Sequence, residues 1–215
     1  MRRFLGGVAL AYPGRVIEVF GWVAAAIGVA SNLPQLIRIL RARTSAGVSL
    51  RLWQISAATT GAWMVHGFLV QKAQMQWPNL VMSLLALVIV VFVLRDRRQA
   101  IAPQLVLPVV LAASLTGVEL VFGAMAFGFV IAVPQLFGQF SQLREMVSAP
   151  DLSGVSVGYL SIMLLVQAMW FTFGLFTSDW ALIICAGAMT VVCTVNLAVY
   201  VVRHLRTRGR VALAV

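Results

Sequence analysis

Seven apolar runs divide the chain, at about 17–40, 51–71, 78–95, 102–117, 119–141, 156–177 and 180–202. Most approach the twenty or so residues that a helix, rising about 1.5 Å per residue, needs to cross a hydrocarbon layer roughly 30 Å thick. Inside lipid no water satisfies the backbone, so each run is predicted to be a helix that closes its own hydrogen bonds. Composition leaves little alternative. Apolar residues make up 61% of the chain and charged residues 10%, against about 25% charged in soluble domains. A disordered chain, a collagen and a disulfide scaffold are excluded by hydrophobicity, by the lack of a Gly-X-Y period and by a count of two cysteines. Those two, Cys185 and Cys193, lie about 12 Å apart along one helical run and read as packing residues.

The net charge of +10 sits between the apolar runs and at the chain ends, which is a topology signal rather than a nucleic-acid surface. With the N-terminus outside, twelve of the sixteen basic residues fall on the inner side, among them Arg38, Arg51, Arg95, Arg144 and the tail from Arg203 to Arg210. Arg2, Arg3, Arg15 and Lys72 remain outside. Cytoplasmic loops gather positive charge, so the expected orientation is N-terminus outside and C-terminus cytoplasmic. The tail at 203–215 is read chiefly as fixing topology, with contact to anionic lipid headgroups as the lesser reading. A bacterial inner membrane is the expected location.

The chain repeats itself. Gly28-Val-Ala-Ser-Asn-Leu-Pro34-Gln35-Leu36 aligns with Gly128-Phe-Val-Ile-Ala-Val-Pro134-Gln135-Leu136 at an offset of 100. Ser45-Ala-Gly47-Val48-Ser49 aligns with Leu152-Ser-Gly154-Val155-Ser156 at 107, as do Trp63 with Trp170 and Gly67 with Gly174. The seven extra residues fall in a loop, where insertions are tolerated. Each copy holds three spans, and copies of like polarity require an odd number of spans between them. The predicted architecture is therefore an all-α membrane protein of seven transmembrane helices, two parallel three-helix bundles joined by a linker helix. The first bundle covers 17–95, the linker 102–117 and the second bundle 119–202. Transporters built of parallel repeats relate them by an axis along the membrane normal.

Pro-Gln near the inner end of a first helix, a short basic loop with Gly-Val-Ser, then Trp followed four residues later by Gly: this order, present twice, resembles the PQ-loop superfamily. The duplicated form with a linker is similar to the SWEET sugar transporters, and each half is similar to the SemiSWEETs, which dimerise. The resemblance runs from about Ile17 to Arg203. It implies a carrier for a small polar solute, with a sugar as the first expectation, and leaves room for self-association of the whole chain.

Several residues can serve such a role. Pro34 and Pro134 each remove a helix hydrogen bond and can act as hinges, with Gln35 and Gln135 capping freed backbone or lining the inner mouth. Trp63 and Trp170 lie mid-span, where a buried indole needs a partner for its N–H and offers a face to the C–H groups of a sugar ring. The resemblance implies an aromatic flanking the substrate there. It also implies an asparagine on the third helix of each copy. Aligning Gln76-Trp77-Pro78 with Asp179-Trp180-Ala181 puts Ser83 and Ala186 at those positions. Asn79, sixteen residues after Trp63, and Asn196 are nearby candidates. Further polar lining is expected from Asn32, Thr59, Thr60, Gln167 and Thr190, each of which could equally make an ordinary helix–helix bond. His66, one turn after Trp63, reads as the ionisable group inside a span and hence as a functional candidate. Glu18 and Glu119 are read as facing headgroup water at the outer ends of the first and fifth spans.

No phosphate-cradling loop, H-E-x-x-H or G-x-S-x-G pattern occurs, so an enzyme is not expected, nor are a cofactor or a metal site. With no acid assigned to the membrane interior, the expectation is passive facilitation by alternating access. A proton-coupled amino-acid transporter of the PQ-loop type and a non-transporting receptor or assembly factor are the alternatives.

Overall fold

The computed structural model describes the backbone of residues 2–42, 44–45, 48–148, 152 and 155–212. The side chains of 2–13, 31–32, 34–35, 38–40, 42 and 206–212 are not among those described. Pro34, Gln35 and Asn32 therefore lie outside the described side chains, and Gly47 and Gly154 of the Gly-Val-Ser motif outside the described residues.

Among the described residues the chain forms α1 (Arg2–Ala42), α2 (Leu50–Leu69), α3 (Ala73–Asp96), α4 (Ile101–Ser148), α5 (Val157–Thr177) and α6 (Trp180–Ala212). Four of them, α3, α4, α5 and the Trp180–Leu205 part of α6, are long and apolar enough to cross a membrane. α2 is more polar, carrying Arg51, Gln54, Thr59, Thr60 and His66 along twenty residues. α1 extends back to Arg2, beyond the expected start at 17.

The expected fourth and fifth spans are one element, α4. Its 48 residues would measure about 72 Å if straight, more than twice the hydrocarbon thickness. The helix is broken at Gly123, with φ 84° and ψ 175°, not between 117 and 119. That backbone region is open to glycine alone and costs other residues about 1–3 kcal/mol, so glycine is what lets the chain turn in an otherwise uninterrupted apolar run. Pro134, by contrast, sits in helical backbone.

Two compact units divide the chain, Met1–Phe127 and Gly128–Val215. In the first, α2 and α3 form an antiparallel hairpin and α1 packs on α3. Their core includes Trp53, Ala57, Ala86, Ile89, Val90, Val93 and Leu94. The first segment of α4 runs parallel to α2. Gln54 Nε2 donates to the Gln104 carbonyl at 2.7 Å near the start of both, and His66 meets Glu119 near the end of both. In the second unit α5 and α6 form the hairpin. The second segment of α4 runs parallel to α6, with Gln135 against Cys185, Gln139 against Asn196 and the Met146 carbonyl against Arg203.

The repeat is visible in the local geometry. Ser49 and Ser156 are the N-caps of α2 and α5, with φ/ψ of −79°/111° and −86°/112°. Each hydroxyl accepts a 3.2 Å bond, from Leu52 N–H and Tyr159 N–H respectively. One turn before each cap the same bond recurs at 3.0 Å, Val48 N–H to Ser45 and Val155 N–H to Leu152. The hairpin turns match too, Gln71 having φ 54° and Ser178 φ 55°. Every one of these pairs is offset by 107. That offset continues through the turn, so Trp77 and Trp180 are not equivalent, as the expected third-helix alignment had them. Asn79 corresponds to Ala186 and Ser83 to Thr190.

Candidate functional site

The hairpin turns bring α3 back onto α2 and α6 back onto α5 at two glycines. A Cβ on Gly67 would stand 2.8 Å from the Gln76 amide nitrogen, and one on Gly174 2.8 Å from Leu182 Cβ. Gly67 offers its carbonyl to Lys72 N–H at 2.9 Å, and Gly174 to Asp179 N–H at 2.9 Å. The Trp-x-x-x-Gly motif is thus a tryptophan one turn below a forced close approach of two helices.

Each tryptophan meets a ring one turn later in its own helix. Trp63 lies edge-on to His66 with centroids 5.4 Å apart, and Trp170 edge-on to Phe173 at 5.7 Å. Both indoles are half-buried. Around Trp63 a third ring, Phe127, closes the group, edge-on to Trp63 at 5.1 Å and stacked on His66 at 5.3 Å.

His66 Nδ1 is paired with Glu119 Oε1. His66 is fully buried and Glu119 is 7% exposed. This corrects the expectation that Glu119 faces headgroup water: it lies on the inward side of α4, and α2 supplies its partner. The second carboxylate oxygen, Oε2, is buried without a hydrogen bond. Glu119 is thus an acid in the protein interior, where the sequence reading assigns none. His66 itself lies in the last turn of α2, closer to the helix end than a mid-span position.

The other candidates are spread out. Ser83 Oγ donates to the Ala57 carbonyl at 2.9 Å, tying α3 to α2. Asn79 is buried and donates to the Met75 carbonyl in its own helix at 2.8 Å. Thr59, Thr60 and Thr190 likewise donate to carbonyls of their own helices. In the second unit Asn196 is fully buried and donates to Gln139 Oε1 at 2.9 Å, while its own Oδ1 has no partner. Gln135 reaches the Ile131 carbonyl and Cys185 Sγ, both at 3.5 Å. Gln167 and Pro134 are half-buried. Sequence reasoning missed Gln54, Gln104, Phe127 and Gln139, and took Glu119 for a surface group.

At the opposite end of the first unit, Asp96 lies just past the apolar part of α3, which ends at Leu94. Ser45 donates to its Oδ2 from both Oγ, at 2.6 Å, and N–H, at 2.7 Å. These bonds, hydroxyl first, hold the carboxyl below the usual carboxylate range against its desolvation, with a lesser contribution from the nearby Arg97 charge. Arg97 also donates to the Val48 carbonyl at 2.6 Å. Ser45 and Val48 are thereby tied to the end of α3. Arg203, offset from Asp96 by 107, pins the end of α4 by donating to the Met146 carbonyl.

Residues 16–65 match the family described as PQ loop repeat. A search of curated proteins finds no match. Among solved structures, one described as a eukaryotic SWEET transporter at 3.7 Å resolution superposes with a TM-score of 0.68 at 16% identity, over 86% of this chain and 94% of that one.

Proposed function

We propose that this chain, a PQ-loop protein of SWEET-like fold, is an integral membrane carrier that moves a small polar solute, a sugar first, by alternating access of its two repeats. The observation that carries the reading is the matched pair of half-buried tryptophans, Trp63 and Trp170, each held one turn before a glycine-enforced helix contact. Each indole offers an apolar face on which a sugar ring can stack. Ser83, Asn79, Gln167, Asn196 and His66 remain the polar lining of this reading, Asn79 and Ser83 after releasing their present backbone partners.

Gly123 ends the linker in this reading, and the two segments of α4 make separate crossings, giving seven in all as 3+1+3. The extreme length of α4 supports this. The basic loops support an N-terminus outside and a C-terminus in the cytoplasm of a bacterial inner membrane. Pro134, and Pro34 by symmetry, are the hinge positions, with Gln135 and Gln35 beside them.

Counterflow of glucose and sucrose in proteoliposomes tests this. Trp63→Ala and Trp170→Ala are each expected to lower the initial rate at least about tenfold, since a lost aromatic stack of ~1.4 kcal/mol corresponds to that factor, in protein that still melts cooperatively as a folded chain. Full rates in both variants would refute the pocket.

A further inference from the structure

We infer that His66 and Glu119 form a proton-binding site that makes the carrier respond to pH. The inference rests on the carrier reading for its consequence, though not for the site itself. The pair is the one place among the described residues of the first unit where a base and an acid are buried together.

The internal repeat supplies a control. At the position of His66 the second copy has Phe173, also buried, at 1% exposure, and also edge-on to its tryptophan. Packing at this position is therefore met by an apolar ring. What the imidazole adds is two ring nitrogens, and one of them, Nδ1, is turned onto Glu119. Glu119 comes from the first segment of α4, which lies between the two copies in sequence, so the site joins one repeat to the linker.

A histidine and a carboxylate sharing one proton are neutral as a pair. Taking up a second proton, or losing the first, leaves a net charge in a low-dielectric setting, which is costly unless something compensates. Glu119 Oε2 is the open position: it is buried and has no partner. A second proton taken from water adds an O–H there and leaves the pair with one positive charge; release returns the proton to water and restores neutrality.

Among the described residues, the other ionisable groups of the packed elements lie away from the pair or in exposed positions. α3 has none between Ala73 and Leu94, and Glu119 is the sole one of α4 from Ile101 to Phe127. On α2 the other is Arg51, at the far end of the helix. Lys72 lies in the hairpin turn, half-exposed, and Arg15 and Glu18 of α1 are exposed. Because Trp63 touches His66, solute at the indole and charge on the pair affect each other. Whatever factor protonation applies to solute affinity, solute applies to proton affinity.

Two measurements on the full chain in lipid vesicles test this. Infrared difference spectra across a pH titration are expected to contain a carboxyl band that titrates and is missing from Glu119→Gln. A titration unchanged by the substitution would overturn the site, whatever the protein carries. Glucose and sucrose counterflow is then compared at symmetric pH values from about 5 to 8. Solute affinity of the native chain is expected to change by as much as about tenfold per pH unit where the pair titrates, the limit for one linked proton. In Glu119→Gln, and in the apolar double variant His66→Phe/Glu119→Leu, the change is expected to stay under about twofold. A native pH profile retained by these variants would overturn the coupling. A titrating band with no flux of any sugar would leave the proton site standing and count against the carrier reading instead.

Discussion

His66→Phe alone is expected to destabilise the protein more than Glu119→Leu alone, and the two together to restore nearly native stability. The first change leaves a carboxylate buried without its partner, which for a broken buried ion pair costs about 3–5 kcal/mol. The second leaves an imidazole that can remain neutral, so the loss is that of an unsatisfied buried polar group, about 1–3 kcal/mol. The double change puts apolar side chains where Phe127 and Trp63 already pack, and Phe173 demonstrates that a phenylalanine fits the equivalent place. Replacing a buried pair with well-packed apolar groups is often neutral or stabilising. Thermal melting in detergent of the native chain and the three variants checks this. Additive losses in the double variant would mean that His66 and Glu119 do not act on each other.

Alanine scanning of the glycines should divide them into two classes of opposite sign. A Cβ at Gly67 would meet backbone atoms of Gln76 and Met75 at 2.8 and 2.9 Å, and one at Gly128 would meet Ala181 Cα and oxygen at 2.8 and 2.9 Å. Backbone in helices cannot withdraw cheaply, so Gly67→Ala and Gly128→Ala are expected to cost about 1–3 kcal/mol each. Gly174→Ala joins them, with Leu182 Cβ at 2.8 Å and the Ile183 nitrogen at 3.1 Å. At Gly28 the nearest atom among the described residues is Met82 Sδ at 3.8 Å, and at Gly117 none of the described residues comes within 4 Å. There alanine should be neutral or stabilising by up to about 1 kcal/mol, its advantage over glycine in a helix. Melting temperatures of the five variants decide the matter; a loss at Gly117 as large as that at Gly67 would contradict the packing described here. The motif partners Gly28 and Gly128 thus differ in what they do, although the sequence aligns them.

The fold was legible where it depends on lengths and on local chemistry. Apolar runs marked the helices, and the serine of each Gly-Val-Ser marked an N-cap, because Ser49 and Ser156 need nothing beyond their own first turn. Three features were hidden for a common reason: in a bilayer both faces of a helix are apolar, so hydrophobic periodicity no longer says which face meets protein. Glu119, near the end of such a run, therefore gave no sign of pointing inward. Gly123 could not be told from Gly117 or Gly128 as the place where α4 breaks. The third-helix register was drawn by matching Trp77 to Trp180, two largely exposed residues of the kind that anchor at membrane interfaces. Such anchors can differ in position between copies, whereas the turn between two close-packed helices cannot.

Duplication in like orientation is the claim on which the carrier reading rests, and accessibility labelling tests it most directly. Single cysteines replacing Ser49, Ser156, Gln71 and Ser178, in a chain with Cys185 and Cys193 changed to alanine, would be exposed to a membrane-impermeant thiol reagent in sealed vesicles. Positions 49 and 156 are expected to label from one face of the membrane and positions 71 and 178 from the other. Labelling of 49 and 156 from opposite faces would contradict duplication in like orientation.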